Sequence, residues 1–284
     1  MRIGITSPIV TRVPGNHGDW EQRAGITELS EIAAVADELG YAYLSCSEHV
    51  GVPVAAARDR GGTYWDPLAT FGFLAARTTR IRLLTQVLVL GYHHPLEIVK
   101  RYGTLDTVSG GRLILGVGVG SLAAEFDLLG ADFNTRGERA DDALRALRVA
   151  LPSAVADYQG THYRFAGIQV EPHALQEQMP IWVGGRTQRS LRRAVELGNG
   201  WVPFAVDPKR VPEMLERAEA PADLEIVLSA GYLDPLRDPR GVTEALQTVT
   251  QAGATTVAVS IRATSVTDYI AGLERLAAEY PQTD

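Results

Sequence analysis

The chain has 284 residues, 45% hydrophobic and 21% charged, a size that suits one α/β barrel and can bury its own core without a disulfide or metal staple. Its net charge of -7 argues against nucleic acid or an anionic membrane surface as a partner. Cys46 is the single cysteine, so no intramolecular disulfide can form. The opening MRIGITSPIV has no basic leader, and no apolar run approaches the roughly 20 residues of a membrane span, so a cytoplasmic protein is expected.

In chain order, apolar β-branched runs alternate with segments of helical period, the pattern of βα units around a parallel sheet. Strands are predicted at Arg2–Ile5, Tyr41–Cys46, Ile81–Leu90, Leu113–Val117, Ile181–Val183, Gly200–Pro203, Glu225–Ala230 and Thr256–Ile261, the eight that a closed (β/α)8 barrel needs. Thr27–Leu39 places Leu29, Ile32, Val35, Ala36 and Leu39 on one helical face, and Gly40 suits its C-terminal cap. Pro95–Val108 reads as a helix stopped by Ser109-Gly110-Gly111, and a last helix is expected over about Val266–Glu279. Val50–Tyr64 shows no periodicity and reads as a mobile loop at the barrel top, while Pro152–Pro180 reads as a hairpin inserted after the fourth unit. No linker, repeat or low-complexity tract divides the chain, so residues 1–284 are read as a single domain.

Active sites of such barrels form from loops after the strand C-termini, and four stretches there carry chemistry. Ser45-Cys46-Ser47-Glu48-His49 closes the second strand; a histidine beside a carboxylate is suited to proton transfer, and equally to simply beginning a surface loop. Leu84–Leu90 is first of all a buried strand; the His93-His94 pair after it lacks further ligands at suitable spacing, so no metal is expected. Gly116-Val117-Gly118-Val119-Gly120-Ser121 lets backbone N–H groups approach an anion at a helix expected to start at Ser121, although glycines also permit a tight strand-to-helix turn. Glu125, four residues further on, reads as structural. Finally, Ile181-Trp182-Val183-Gly184-Gly185-Arg186-Thr187 followed by a helix forms a phosphate cradle. Arg186, Arg189, Arg192 and Arg193 oppose that helix's dipole unless a polyanion binds there, and some of them would serve as a solvated basic face.

Together these motifs resemble the luciferase-like monooxygenase superfamily, (β/α)8 barrels that use FMN or the deazaflavin coenzyme F420. The likeness covers most of the chain and is most specific at SEH, at T-x-V in the third strand, at TLDTVSGGRLILGVGVG and at PIWVGG. The length, and two lysines against 25 arginines in the manner of a GC-rich actinobacterial genome, favour the deazaflavin branch. The resemblance implies that His49 stands beside the reactive ring and assists catalysis, with the acidic Glu48 near it. Thr85, Gln86 and Val87 would back the ring, with Gln86–Val87 a non-proline cis peptide. Gly118, Gly120 and Ser121 would line the ring and its side chain, and Gly184, Gly185, Arg186 and Thr187 would hold the phosphate. One departure stands out: some deazaflavin sugar-phosphate dehydrogenases have a carboxylate where this chain has Ser121, which puts sugar-phosphate oxidation in doubt.

The expected function is therefore an F420-dependent oxidoreductase that moves a hydride between the deazaflavin ring and a small-molecule substrate. An FMN-dependent monooxygenase, supplied by a partner flavin reductase and reacting with oxygen, is the alternative, as an F420 reductase would be the donor system for the first. A non-catalytic flavin- or deazaflavin-binding protein is the reading from another class, and a homodimer is compatible with all three.

Overall fold

The computed structural model describes residues 1–281. Eight parallel strands form the sheet: β1 (Arg2–Thr6), β2 (Tyr43–Cys46), β3 (Arg82–Thr85), β4 (Leu113–Gly118), β5 (Ile181–Gly184), β6 (Gly200–Val202), β7 (Glu225–Leu233) and β8 (Thr256–Ile261). Each pairs with the next, and β8 returns to β1, closing the sheet into the expected barrel. Helices cover the outside, so the strands are apolar on both faces and β4 is buried along its whole length. Helix Ile26–Glu38 shows the device on the outer side: Leu29, Ile32 and Ala36 recur at helical spacing and are completely buried against the sheet. No helix among the described residues is long and apolar enough to cross a membrane.

The barrel interior is a separate apolar cluster of Tyr43, Leu84, Ile114, Trp182, Val202, Val227 and Ala258, one residue from each of β2 to β8. Tyr43 and Trp182 meet edge to face with ring centroids 5.7 Å apart. Two glycines make room for these rings. A Cβ at Gly4 would lie 2.1 Å from the Tyr43 ring, and one at Gly200 would lie 2.6 Å from Trp182.

The third strand departs from its expected form. Instead of one run from residue 81 to 90, β3 stops at Thr85 and resumes as Leu88–Val89 beyond a cis Gln86–Val87 peptide. Leu84 lies opposite Ile114 and Leu88 opposite Val117, so β3 holds one residue more than β4 over this stretch. That surplus is a bulge, and it turns Val87 toward the barrel mouth. Hydrophobicity alone reads straight through it, because the residues on both sides of the bulge are apolar.

Val50–Tyr64 is more ordered than its composition predicts. It contains a helix, Val54–Arg60, and then Thr63–Tyr64, which pairs antiparallel with Thr11–Arg12. The helix buries no residue, so it leaves no apolar periodicity in the sequence. The inserted hairpin is present as Val155–Gln159 against Arg164–Gln169. It is held to helix Arg136–Ala150 by Asp142, which accepts hydrogen bonds from Tyr158 Oη at 2.5 Å and the His162 backbone N–H at 2.6 Å.

Gly4→Ala should lower thermal stability, because the new methyl group must displace a completely buried ring in an interior without slack; overpacking of this kind costs about 1–3 kcal/mol. Gly72→Ala, in helix Pro67–Ala75 with open space around its Cβ, should be neutral or slightly stabilising. Thermal unfolding of the two variants beside the parent protein tests both.

Candidate active site

The C-terminal ends of β2 to β5 open into a cleft of about 790 Å³. Eleven of the twelve sequence-derived candidates line it: Glu48, His49, Gln86, Val87, Gly118, Gly120, Ser121, Gly184, Gly185, Arg186 and Thr187. Thr85 does not reach the cleft. It is completely buried, and its hydroxyl donates to the Gly116 carbonyl at 2.7 Å, tying β3 to β4 just below the bulge.

His49 is held from behind by a residue that sequence reasoning had set aside. Its Nδ1 lies 2.6 Å from Oε2 of Glu125, whose side chain has no solvent exposure. The same carboxylate accepts hydrogen bonds from the Val50 and Gly51 backbone N–H groups and, at 2.8 Å, from the Tyr92 hydroxyl. Burial works against the Glu125 charge, but the bonds from Tyr92, His49 and Gly51 outweigh it and hold the carboxyl below the ordinary carboxylate range. A charged acceptor at Nδ1 fixes the proton there and leaves Nε2 as the nitrogen for chemistry, with the ring on the cleft wall. The imidazole and the Tyr64 ring make a T-shaped contact, with centroids 4.4 Å apart.

The helix that carries Glu125 starts at Ala123, not at Ser121, and runs only to Leu128. Phe126 anchors it. A Cβ at Gly91 or Gly120 would come within 2.6 Å of the Phe126 ring, so those two glycines let the helix sit close enough for Glu125 to turn inward. The signal was a buried acid and aromatic pair, Glu125-Phe126, in a helix too short to show a period.

Glu48 does not point its charge at the cleft. One oxygen accepts from the Val89 backbone N–H at 2.7 Å and the other lies 2.7 Å from His93 Nε2, so it fastens the resumed part of the third strand to the end of β2. Burial lowers the His93 pKa, yet the hydrogen bond and charge of Glu48, with the charge of Glu97, leave it raised on balance.

The floor of the cleft is the Val87 side chain. A Cβ at Gly118 would stand 2.6 Å from one of its methyl groups and a Cβ at Gly184 would stand 2.7 Å from the other. These two glycines thus admit the bulge. Gln86 is anchored through its backbone, its N–H to the Cys46 carbonyl and its carbonyl to the Ser47 hydroxyl, each at 2.8 Å. Its side-chain oxygen is buried with no partner among the described residues.

At the β5 end, Gly185 has φ +120 and a Cβ there would lie 2.7 Å from Ser190, so glycine is required on both counts. The Gly185 and Arg186 backbone N–H groups have no protein acceptor among the described residues. Thr187 is spent on its own helix: its hydroxyl caps the Ser190 N–H and its N–H donates to Ser190 Oγ. The four arginines separate. Arg186 and Arg189 line the rim, and Arg192 lies outside the cleft. Arg193 is buried, bonded to Asp141 and, at 3.1 Å, to the Gly137 carbonyl. Two further arginines, Arg60 and Arg136, line the cleft without having been expected there.

Fold and cleft together define an α/β barrel with a candidate active site at the C-terminal ends of its strands. The model of the luciferase-like monooxygenase family matches residues 1–231, and the chain belongs to that family. An uncharacterised protein of Mycobacterium tuberculosis is 28% identical over 270 residues, 90% of this chain and 94% of its own length. Among solved structures, a coenzyme F420-dependent tetrahydromethanopterin reductase from Methanopyrus kandleri superposes with TM-score 0.77 at 16% identity, covering 98% of this chain and 97% of that one. A monooxygenase from Streptomyces bottropensis gives TM-score 0.72 at 20% identity, covering 99% and 98%.

The His93–Glu48 pair makes a pH prediction. A histidine whose folded pKa lies above its unfolded value of 6.5 contributes stability that is complete below that value and is lost as pH rises through the folded one. Raising the pH from about 6 to about 8.5 should therefore lower the melting temperature of the parent protein more than that of His93→Gln. Parallel slopes would show that this pair does not govern the alkaline limb.

Proposed function

We propose that the chain is an F420-dependent oxidoreductase that passes a hydride between the deazaflavin ring and a small organic substrate, with His49 exchanging the accompanying proton. The observation that carries this reading is the buried Glu125 carboxylate on Nδ1 of His49, which leaves Nε2 as a base at the cleft wall. The residues fit such a cofactor. Val87 offers an apolar floor for a flat ring, and the unpartnered Gln86 oxygen offers an acceptor to a ring N–H. The free N–H groups of Gly185 and Arg186 suit a phosphate, and Arg186 and Arg189 lie where a charged tail would continue.

When bound, the deazaflavin supplies hydride transfer at its C5 position. In the oxidative direction Nε2 of His49 takes the hydroxyl proton while the C–H hydride leaves the same carbon, and the alcohol becomes a carbonyl compound. In the reductive direction His49 returns the proton to the carbonyl oxygen. Glu125 stays ionised and stabilises the imidazolium formed in between. We place this chemistry in the cytoplasm, where the buried Cys46 thiol stays reduced.

One observation favours the second reading, an FMN-dependent monooxygenase fed by a reductase. With Arg193 paired to Asp141 and Arg192 outside the cleft, only two of the four arginines remain for a tail that FMN lacks. Against a non-catalytic binder stands the cost of burying Glu125 behind a histidine that ligand binding alone does not require.

Two measurements bear on the proposal. His49→Ala should lower turnover by roughly the 10²–10⁴ of a lost acid–base group while cofactor affinity changes little. A parallel loss of affinity would make His49 a binding residue. Titrations of the protein with each cofactor should show tighter binding of F420 than of FMN, by a margin that shrinks as salt rises, because rim contacts are weak and screened. Tighter FMN binding at both low and high salt would give preference to the monooxygenase.

A further inference from the structure

Among the cleft arginines Arg60 differs from Arg189 and Arg193, which pair with Asp141, and from Arg136, which two carbonyls hold; like Arg186 it has no ion pair among the described residues. Arg136 stacks on Phe133, 3.7 Å from the ring centroid, and donates to the Phe133 and Gly120 carbonyls. Arg193 is ion-paired and buried, and Arg186 lies over the Phe204 ring. Arg60 makes no ion pair among the described residues; one nitrogen, Nη1, donates to Ser121 Oγ at 3.0 Å. Its Nε and Nη2 edge is left without a partner among the described residues, on the cleft lining that also holds His49.

The position of Arg60 is built. The residue ends helix Val54–Arg60, and its carbonyl accepts from the Tyr64 hydroxyl at 2.7 Å. Gly61 follows with φ +81, where a Cβ would lie 1.9 Å from the Arg12 carbonyl oxygen, so the turn closes onto the Thr11–Arg12 ribbon and only glycine fits. Tyr64, whose hydroxyl holds the Arg60 backbone, is also the ring against His49. Burial raises the Tyr64 and Tyr92 phenols, and the Arg60 charge opposes it at both. The phosphate loop follows β5, three strands round the barrel from the β2 loop that carries Arg60.

We propose that the substrate is a hydroxy or oxo carboxylic acid, its carboxylate seated on Arg60 and Ser121 and its reacting carbon facing Nε2 of His49. This rests on the hydride-transfer reading above. A guanidinium edge matches the two oxygens of a carboxylate. Ser121 Oγ already accepts from Arg60, so its own hydrogen is free to donate to the same anion. An acid at position 121 would cancel the Arg60 charge; serine leaves it in force. A single cation suits a monoanion, whereas a phosphate dianion is better served by the free N–H groups and paired arginines at β5. Oxidation then takes the hydroxyl proton to His49 and the hydride to the cofactor, turning the hydroxy acid into an oxo acid with its carboxylate unchanged.

The test is a binding measurement. 2-Hydroxyisobutyrate, a tertiary alcohol that cannot be dehydrogenated, and its neutral amide are titrated by calorimetry into the protein, with and without saturating cofactor. The acid should bind at least tenfold more tightly than the amide, about 1.4 kcal/mol. The preference should vanish in Arg60→Met, persist in part in Arg60→Lys, and survive in Arg186→Met, with unchanged melting curves showing that the variants fold. Equal binding of acid and amide overturns the proposal, as does a preference that survives Arg60→Met or is lost in Arg186→Met. Inorganic phosphate displacing the acid from the Arg60 site more effectively than carboxylates do would also overturn it, in favour of a phosphorylated substrate. Because the readout is affinity, intact discrimination combined with no oxidation of a secondary 2-hydroxy acid such as lactate by the F420-loaded protein would count against the hydride-transfer reading and leave the Arg60 assignment standing.

Discussion

Glu125 carries a charge with no access to water, and the upper end of the barrel is arranged around it. Its donors come from two loops: His49, Val50 and Gly51 follow β2, and Tyr92 follows the resumed third strand, while the carboxylate itself follows β4. A buried carboxylate that lost one of these donors would be left uncompensated in a low dielectric, which is strongly destabilising. The charge therefore fixes the loops relative to one another. It also takes up Nδ1 of His49, so the same interaction that assembles the wall leaves Nε2 as the ring nitrogen without a protein partner among the described residues.

The cleft floor obeys a different constraint, one of close packing. The surplus residue in the third strand pushes Val87 toward the barrel mouth, and no β-carbon can stand at 118 or 184 while it is there. Glycines that read in sequence as an approach path for a ligand anion are required first by the protein's own side chains. Gly120 follows the same logic, since its Cβ would meet Phe126 and Val89. Gly185 combines a left-handed backbone with neighbouring N–H groups that have no acceptor among the described residues. The two ends of the cleft are thus distinct: an apolar floor with a histidine base on the β2 side, and a cradle for negative charge on the β5 side.

The arginines show how little a cluster in sequence says about a cluster in space. On helix Gln188–Leu197, Arg189 and Arg193 are one turn apart and share a face, and that face meets Asp141 on the neighbouring helix. The deeper of the two is consumed there, holding two helices together beneath the rim. Arg60 and Arg136 come from elsewhere in the chain and reach the cleft only because the barrel brings the loops after β2 and β4 onto one surface.

Periodicity and turn chemistry in the sequence determine the eight strands, the closed barrel and the end at which the site lies, because each depends on local patterns that repeat along the chain. Motifs at strand ends determine most of the cleft lining, since residues just past a barrel strand have nowhere else to go. The partnership of His49 with Glu125 spans 76 positions and has no local signature. The role of Glu48 was settled in the same way, by a histidine 45 residues away that draws its charge off the cleft. Helix Val54–Arg60 buries nothing, so no pattern announced it or the arginine at its end. Which carboxylate holds His49, which glycines give way to side chains and which cleft arginines are ion-paired were decided by tertiary contact alone. Hydrogen bonding and charge pairing act over a few ångströms of space, whatever the distance along the chain.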